Sequence, residues 1–94
     1  MKKVEKTIEK TFKALANHKR LEILAFLFKH KSASVGEIAE KIKISIKSTS
    51  KHLLALYSAD FLDRERVHGL TFYSLNDSIG DMERLLLNAL RKYF

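Results

Sequence analysis

Residues 34–60 read SVGEIAEKIKISIKSTSKHLLALYSAD, and this stretch spells out two short helices joined by a tight turn. Ser34 followed three residues later by Glu37 is the pattern of a capping box, in which a hydroxyl and a carboxylate satisfy reciprocal backbone donors. Val35, Ile38, Ala39 and Ile42 then keep helical spacing over about two turns. After Ile42-Lys43-Ile44, Ser45 offers a second N-cap, and Thr49, Leu53 and Leu56 fall on one face of the next helix. Lys47, Lys51, Leu54 and Ser58 fall on the opposite face, so this helix is polar on one side. Between Glu40 and Asp60 the charged residues are Lys41, Lys43, Lys47 and Lys51, with no acid among them. A basic helix face of this kind suits a polyanion.

On the N-terminal side, Val4, Ile8, Phe12 and Leu15 recur at helical spacing among lysines and glutamates, which predicts an amphipathic first helix. Asn17 is a good N-cap, and Leu21 with the run Ile23 to Phe28 predicts a short central helix, apolar all round, that stops near Lys29 to Lys31. On the C-terminal side, Phe61 to Val67 and Leu70 to Leu75 read as two strands around a His68-Gly69 turn. Ile79, Met82, Leu86, Leu90 and Tyr93 then follow the seam spacing of a helix that packs lengthwise on a partner helix, taken to be another subunit.

The whole chain has 94 residues, 46% hydrophobic and 31% charged, which is about one domain's worth of an ordinary globular protein. At this size folding hides little more than ~60% of the unfolded surface, so exposed apolar stripes favour self-association. Cysteine is absent, which excludes disulfides, thiolate metal sites and thiol-based redox sensing. No apolar run approaches the ~20 residues that span a bilayer, and no signal-peptide core is visible, so a cytosolic location is expected. Lysine and arginine outnumber aspartate and glutamate 18 to 11, a net charge of +7. Residues 1–31, with nine basic against three acidic side chains, read as a solvated helix face rather than a DNA-binding arm. Residues 61–94 balance five basic against five acidic side chains, a poor fit to a helix lying on a membrane. The chain also lacks a glycine-rich phosphate loop and a nucleophile elbow, so no enzyme is expected.

Four helices, a hairpin and a last helix, in the order α-α-α-α-β-β-α, make a mainly α winged helix-turn-helix. Lys47 and Lys51 share the exposed face of the fourth helix, flanked by Ser48 and Ser50. In a major groove the ammonium groups would reach phosphates or guanine edges, and the hydroxyls either base type or a phosphate. Alternation puts Arg64 and Arg66 on one face of the hairpin, near a tip at His68 that could enter a minor groove.

The run Phe12-Lys13-Ala14-Leu15-Ala16-Asn17-His18-Lys19-Arg20-Leu21-Glu22-Ile23-Leu24 resembles the "ALADPTRLEIL" signature of ArsR/SmtB-type bacterial and archaeal repressors. Ser34-Val35-Gly36-Glu37-Ile38-Ala39 resembles their "sVgELA" helix, and Ser50-Lys51-His52-Leu53 with Leu56 and Ala59 their "SrHLkvLreAGL" recognition helix. Tyr73 and Leu75 match the returning wing strand, so the resemblance spans roughly residues 10–76. His18 replaces the usual proline, Asp60 the usual glycine, and Ile46 a commonly polar residue that faces DNA.

The resemblance implies one DNA-binding domain over residues 1–94, with dimerisation helices at 1–16 and 78–94, the helix-turn-helix at 34–59 and the wing at 61–75. It implies a homodimer joined through Val4, Ile8, Phe12, Ile79, Met82, Leu86, Leu90 and Tyr93, acting as a transcriptional regulator, expected to be a repressor. Double-stranded DNA, as an imperfect palindrome, would meet Lys47, Ser48, Ser50, Lys51 and His52 in the major groove. Lys43 would meet the backbone, and Arg64, Arg66 and His68 the minor groove. His52 is expected to brace the helix-turn-helix or touch a phosphate, His30 to lie in a surface loop and His18 to start a helix. No cofactor and no metal are expected: Ser34 and Gly36 stand where sensors of this family carry a cysteine pair, and Asp77, Asp81 and Glu83 have no histidine after His68 to join them. No membrane partner is expected, and the sequence names no effector. The alternatives are a winged helix kept as a protein-interaction module, favoured by Ile46 and Leu54, and a nonspecific nucleic-acid-binding protein, favoured by charge alone.

Overall fold

The computed structural model describes residues 3–77 and 81–93, with side chains at 8–77 and 84–92. Its elements run α1 (Lys3–Leu15), α2 (His18–His30), β1 (Ser32–Ser34), α3 (Val35–Ile42), α4 (Ile46–Ser58), β2 (Leu62–Val67), β3 (Leu70–Leu75) and α5 (Asp81–Tyr93).

Each helix of the central pair begins where a side chain satisfies its first free backbone donors. At α3 the Ser34 hydroxyl accepts from the Glu37 N–H at 3.2 Å, and the Glu37 carboxylate accepts from the Ser34 N–H at 2.9 Å. These bonds to Ser34 hold the Glu37 carboxyl below its ordinary pKa. Lys43 closes α3 in the left-handed region, φ 63°, with its N–H on the Ala39 carbonyl at 2.9 Å. Two residues later the Ser45 hydroxyl accepts from the Ser48 N–H at 3.0 Å and opens α4. Thr49 is wholly buried, yet its hydroxyl donates to the Ser45 carbonyl at 2.8 Å, so burial leaves no unpaired polar group there.

The end of α4 is a Schellman motif. Asp60 adopts φ 66°, its N–H bonds to the Tyr57 carbonyl at 3.0 Å, and the Phe61 N–H reaches back to Leu56 at 3.0 Å. That reversal drops Phe61, fully buried, into the core and launches β2. Val67 pairs with Leu70, leaving His68 and Gly69 as a two-residue loop. Both loop residues have positive φ, 50° and 79°, the condition for the primed turn whose twist matches a hairpin.

The expected order of elements lacks one strand. Residues Ser32–Ser34 form β1, which pairs antiparallel with β3 through Ser32 with Ser74, Ala33 with Tyr73 and Ser34 with Phe72. The sheet is therefore three-stranded in the order β1-β3-β2. Three residues reading Ser-Ala-Ser are too few to display alternation and carry no branched or aromatic side chain, so the strand exists only because β3 offers it a ladder. The pairing is useful to the fold: it fixes the start of α3 to the root of the wing. His30, expected in a loop, is instead the last residue of α2, stacked on Phe26 at 4.3 Å between ring centroids.

The core lies where α2, α3, α4 and the sheet meet. Ile23, Leu24 and Leu27 of α2, Ile38 and Ile42 of α3, and Leu53 and Leu56 of α4 close on Phe61, Leu62 and Tyr73, and α5 contributes Leu87. Burying each of the larger side chains is worth ~2 kcal/mol relative to leaving it in water. Among the described residues, no helix is long and apolar enough to cross a membrane.

Candidate nucleic-acid interface

Because Thr49, Leu53 and Leu56 are buried completely, the opposite side of α4 is held outward. Lys47, Ser48 and Lys51 lie exposed on it, with Ser50 half-buried at the edge towards the wing. Lys43 is exposed at the turn between α3 and α4, where its backbone is already committed to closing α3. Four candidate cations and hydroxyls of one helix thus share one surface with a lysine at its approach.

The wing flanks this surface. Ser50 and Leu54 of α4 line an open cleft with Val35, Arg64, Glu65, Arg66, Thr71 and Tyr73, about 530 Å³ in volume. Arg64 is tied at the inner end of the wing: its guanidinium lies 4.1 Å above the centre of the Tyr57 ring, and it pairs across the ladder with Tyr73, whose side chain helps to raise its pKa. Arg66 sits nearer the tip, donating to the Gly69 carbonyl at 3.1 Å and to the Thr71 hydroxyl at 3.5 Å. His68 is exposed at the tip itself. Beyond Leu62, all of β2 is exposed, so Asp63 and Glu65 also lie in solvent and no face of this strand is covered.

His52 differs from the rest of the set, being half-buried against α2. Its Nδ1 accepts from Nε of Arg20 at 3.1 Å. Burial first, and the Arg20 charge second, push its pKa below 6.5. The same guanidinium reaches the carbonyls of Lys13 and Ala14 at the end of α1, both at 3.5 Å. Arg20 therefore touches the last turn of α1 and α4 at once. Lys19, its neighbour, donates to the Ile42 carbonyl at 3.2 Å and helps to close α3. Neither residue stood out in the sequence, because Ile42 and His52, the partners through which they reach α3 and α4, lie more than twenty residues away and no local spacing announces them.

A second surface is apolar. Phe12, Leu15 and Ala16 at the end of α1, with Leu21 of α2, face Leu86, Ala89 and Leu90 of α5 across a cleft of about 300 Å³. Phe12 is 50% exposed and Ile8 43%, while Leu86 and Leu90 are half-buried. Of the remaining candidates for this seam, Ile79 lies outside the described residues, as do the side chains of Val4, Met82 and Tyr93. Among the described residues no three histidine or acidic side chains come together as a metal site would require. The side chains of Asp81 and Glu83 lie outside that set.

Comparison with known proteins agrees with this geometry. Residues 17–64 match the model of the bacterial regulatory protein, arsR family. The chain is 35% identical over 69 residues to the arsenical resistance operon repressor of Bacillus subtilis, covering 73% of this chain and 66% of that protein, just under two thirds of its length. It is 35% identical over 82 residues to the transcriptional repressor SdpR of the same organism, covering 86% of this chain and 90% of that one. The solved structure of HlyU from Vibrio cholerae superposes with a TM-score of 0.81 at 26% identity, over 100% of this chain and 98% of that chain. With the family model covering half of its residues and relatives matching at this level, the chain belongs to the arsR family of bacterial regulatory proteins.

Proposed function

We propose that the protein is a homodimeric, sequence-specific DNA-binding repressor of transcription, working in the cytoplasm on an imperfect palindrome. The observation that carries this reading is the outward face of α4, where Lys47, Ser48 and Lys51 stand exposed with no acidic side chain between Glu40 and Asp60. In a major groove these groups meet phosphates and base edges, Lys43 meets the backbone beside them, and Arg66 and His68 meet the adjacent minor groove. Arg64 contributes charge while held by Tyr57 and Tyr73. His52 works one step back, keeping α4 in register with α2 through Arg20.

Homodimerisation through α1 and α5 is supported by the apolar cleft between Phe12 and Leu86, which a second copy would cover. Two recognition helices then face successive major grooves about one helical turn apart. Since the family is one of transcriptional regulators, the chain is not an enzyme.

Titration of a labelled random-sequence duplex at two salt concentrations tests the reading. Binding that weakens steeply with salt is expected from the lysines of α4. Absence of binding at low salt would favour a protein-interaction role, for which the exposed Ile46 and Leu54 would be the contact residues.

A further inference from the structure

Ile46 opens α4 at its first helical position, directly after the Ser45 cap, and is 62% exposed. It belongs neither to the hydrophobic core nor to the apolar side chains packed against it. Helix capping calls for a hydroxyl at Ser45 but places no demand for a branched apolar residue after it. The fold therefore gains nothing from isoleucine here, and its side chain stands beside Lys47 with Ser50 one turn further on.

The first residues of a recognition helix come nearest the base edges. Ile46 has no side-chain atom able to donate or accept a hydrogen bond, so phosphates and the polar edges of bases offer it nothing. The major groove presents one apolar group, the C5 methyl of thymine. Leu54 and Tyr57, the other exposed large apolar residues of α4, lie eight and eleven residues later: Leu54 lines the cleft with Arg64, Thr71 and Tyr73, and the Tyr57 ring lies beneath the Arg64 guanidinium. Both are placed beside the wing rather than at the leading end of the helix.

We propose that Ile46 is a specificity-determining residue that packs on the methyl group of one thymine in each half-site. The inference rests on the DNA-binding reading above and deepens it, since it states which base the leading end of α4 selects and by what contact.

The test uses the full chain and the duplex it selects from a random pool, with each thymine replaced in turn by uracil, which removes only the methyl. One position per half-site should weaken wild-type binding about fourfold, and the pair about fifteenfold, in keeping with the loss of one buried methyl at each. Ile46→Ser should bind the thymine and uracil duplexes alike, whereas Ile46→Val should keep part of the discrimination. Because the side chain is exposed, both variants should unfold at the wild-type temperature. Equal binding of every uracil duplex by the wild-type protein would overturn the proposal while leaving DNA binding intact, and so would a uracil penalty undiminished in Ile46→Ser. A wild-type protein that selects no duplex would overturn the DNA-binding reading itself.

Discussion

Arg20 and His52, separated by thirty-two residues, are joined by a 3.1 Å hydrogen bond from the guanidinium Nε to the imidazole Nδ1. An arginine can only donate, so the bond requires Nδ1 to be unprotonated and assigns the ring proton of the neutral imidazole to Nε2. With Arg20 also reaching the carbonyls of Lys13 and Ala14, one side chain connects α1, α2 and α4. The angle of α4, the proposed recognition helix, is thereby tied to the helix that would carry the dimer interface.

The pH dependence of stability follows from this bond. Burial and the Arg20 charge lower the His52 pKa in the folded protein from 6.5, so the unfolded chain binds more protons between the two values. Its contribution is fully present above about pH 6.5 and is lost as pH falls through the lower, folded value. The unfolding midpoint in denaturant should fall as pH drops from 7.5 towards 5.5, and His52→Gln should remove part of that slope. An NMR titration should place the His52 midpoint below 6.5; a midpoint above it would contradict the bond.

Asp60 holds a left-handed conformation, φ 66°, that the Schellman motif at the end of α4 demands. Glycine adopts it without the steric cost borne by a side chain, and the gain outweighs glycine's greater freedom when unfolded. Asp60→Gly should therefore stabilise the domain by about 0.5–1 kcal/mol, measured as a raised denaturant midpoint at unchanged slope. Ser45→Ala, at the other end of the same helix, should destabilise by about 1 kcal/mol.

Lys51 is exposed on the proposed groove face. Lys51→Ala should weaken duplex binding and reduce the slope of log affinity against log salt by about 0.9 for each subunit, the value of one phosphate contact. An unchanged slope would remove Lys51 from the interface. Its distance from the core predicts an unaltered thermal midpoint.

Phe12, half exposed beside Leu86 and Leu90, is the side chain whose replacement should separate the subunits. Phe12→Arg should sediment near the 10.9 kDa of one chain, while the wild type sediments at about twice that mass. Because linked half-sites raise avidity by about 10²-fold or more, the variant should lose DNA affinity to that extent although its α4 is untouched. Sedimentation of the wild type as one chain would contradict the proposed seam.

The helix-turn-helix was legible because its signals are local. Ser34 with Glu37, Ser45, and the buried trio Thr49, Leu53 and Leu56 all lie within one or two turns of what they control. The wing turn was equally legible, since His68-Gly69 between two strand-like runs permits the positive φ that a tight hairpin needs. What stayed hidden depends on distant partners. Strand β1 is three residues long and owes its existence to β3, and the Arg20 to His52 bond spans four elements of the chain. Tyr57 carries no local signal of its role, although its ring forms the seat on which Arg64 rests.

Selecting random-sequence duplexes on the purified protein near physiological salt, and sequencing the bound pool, shows whether the protein is a dimeric reader of DNA sequence. An inverted repeat is expected, its half-sites about one helical turn apart and a thymine at a fixed place in each. A bound pool without any enriched sequence, or no bound pool at all, would contradict that expectation.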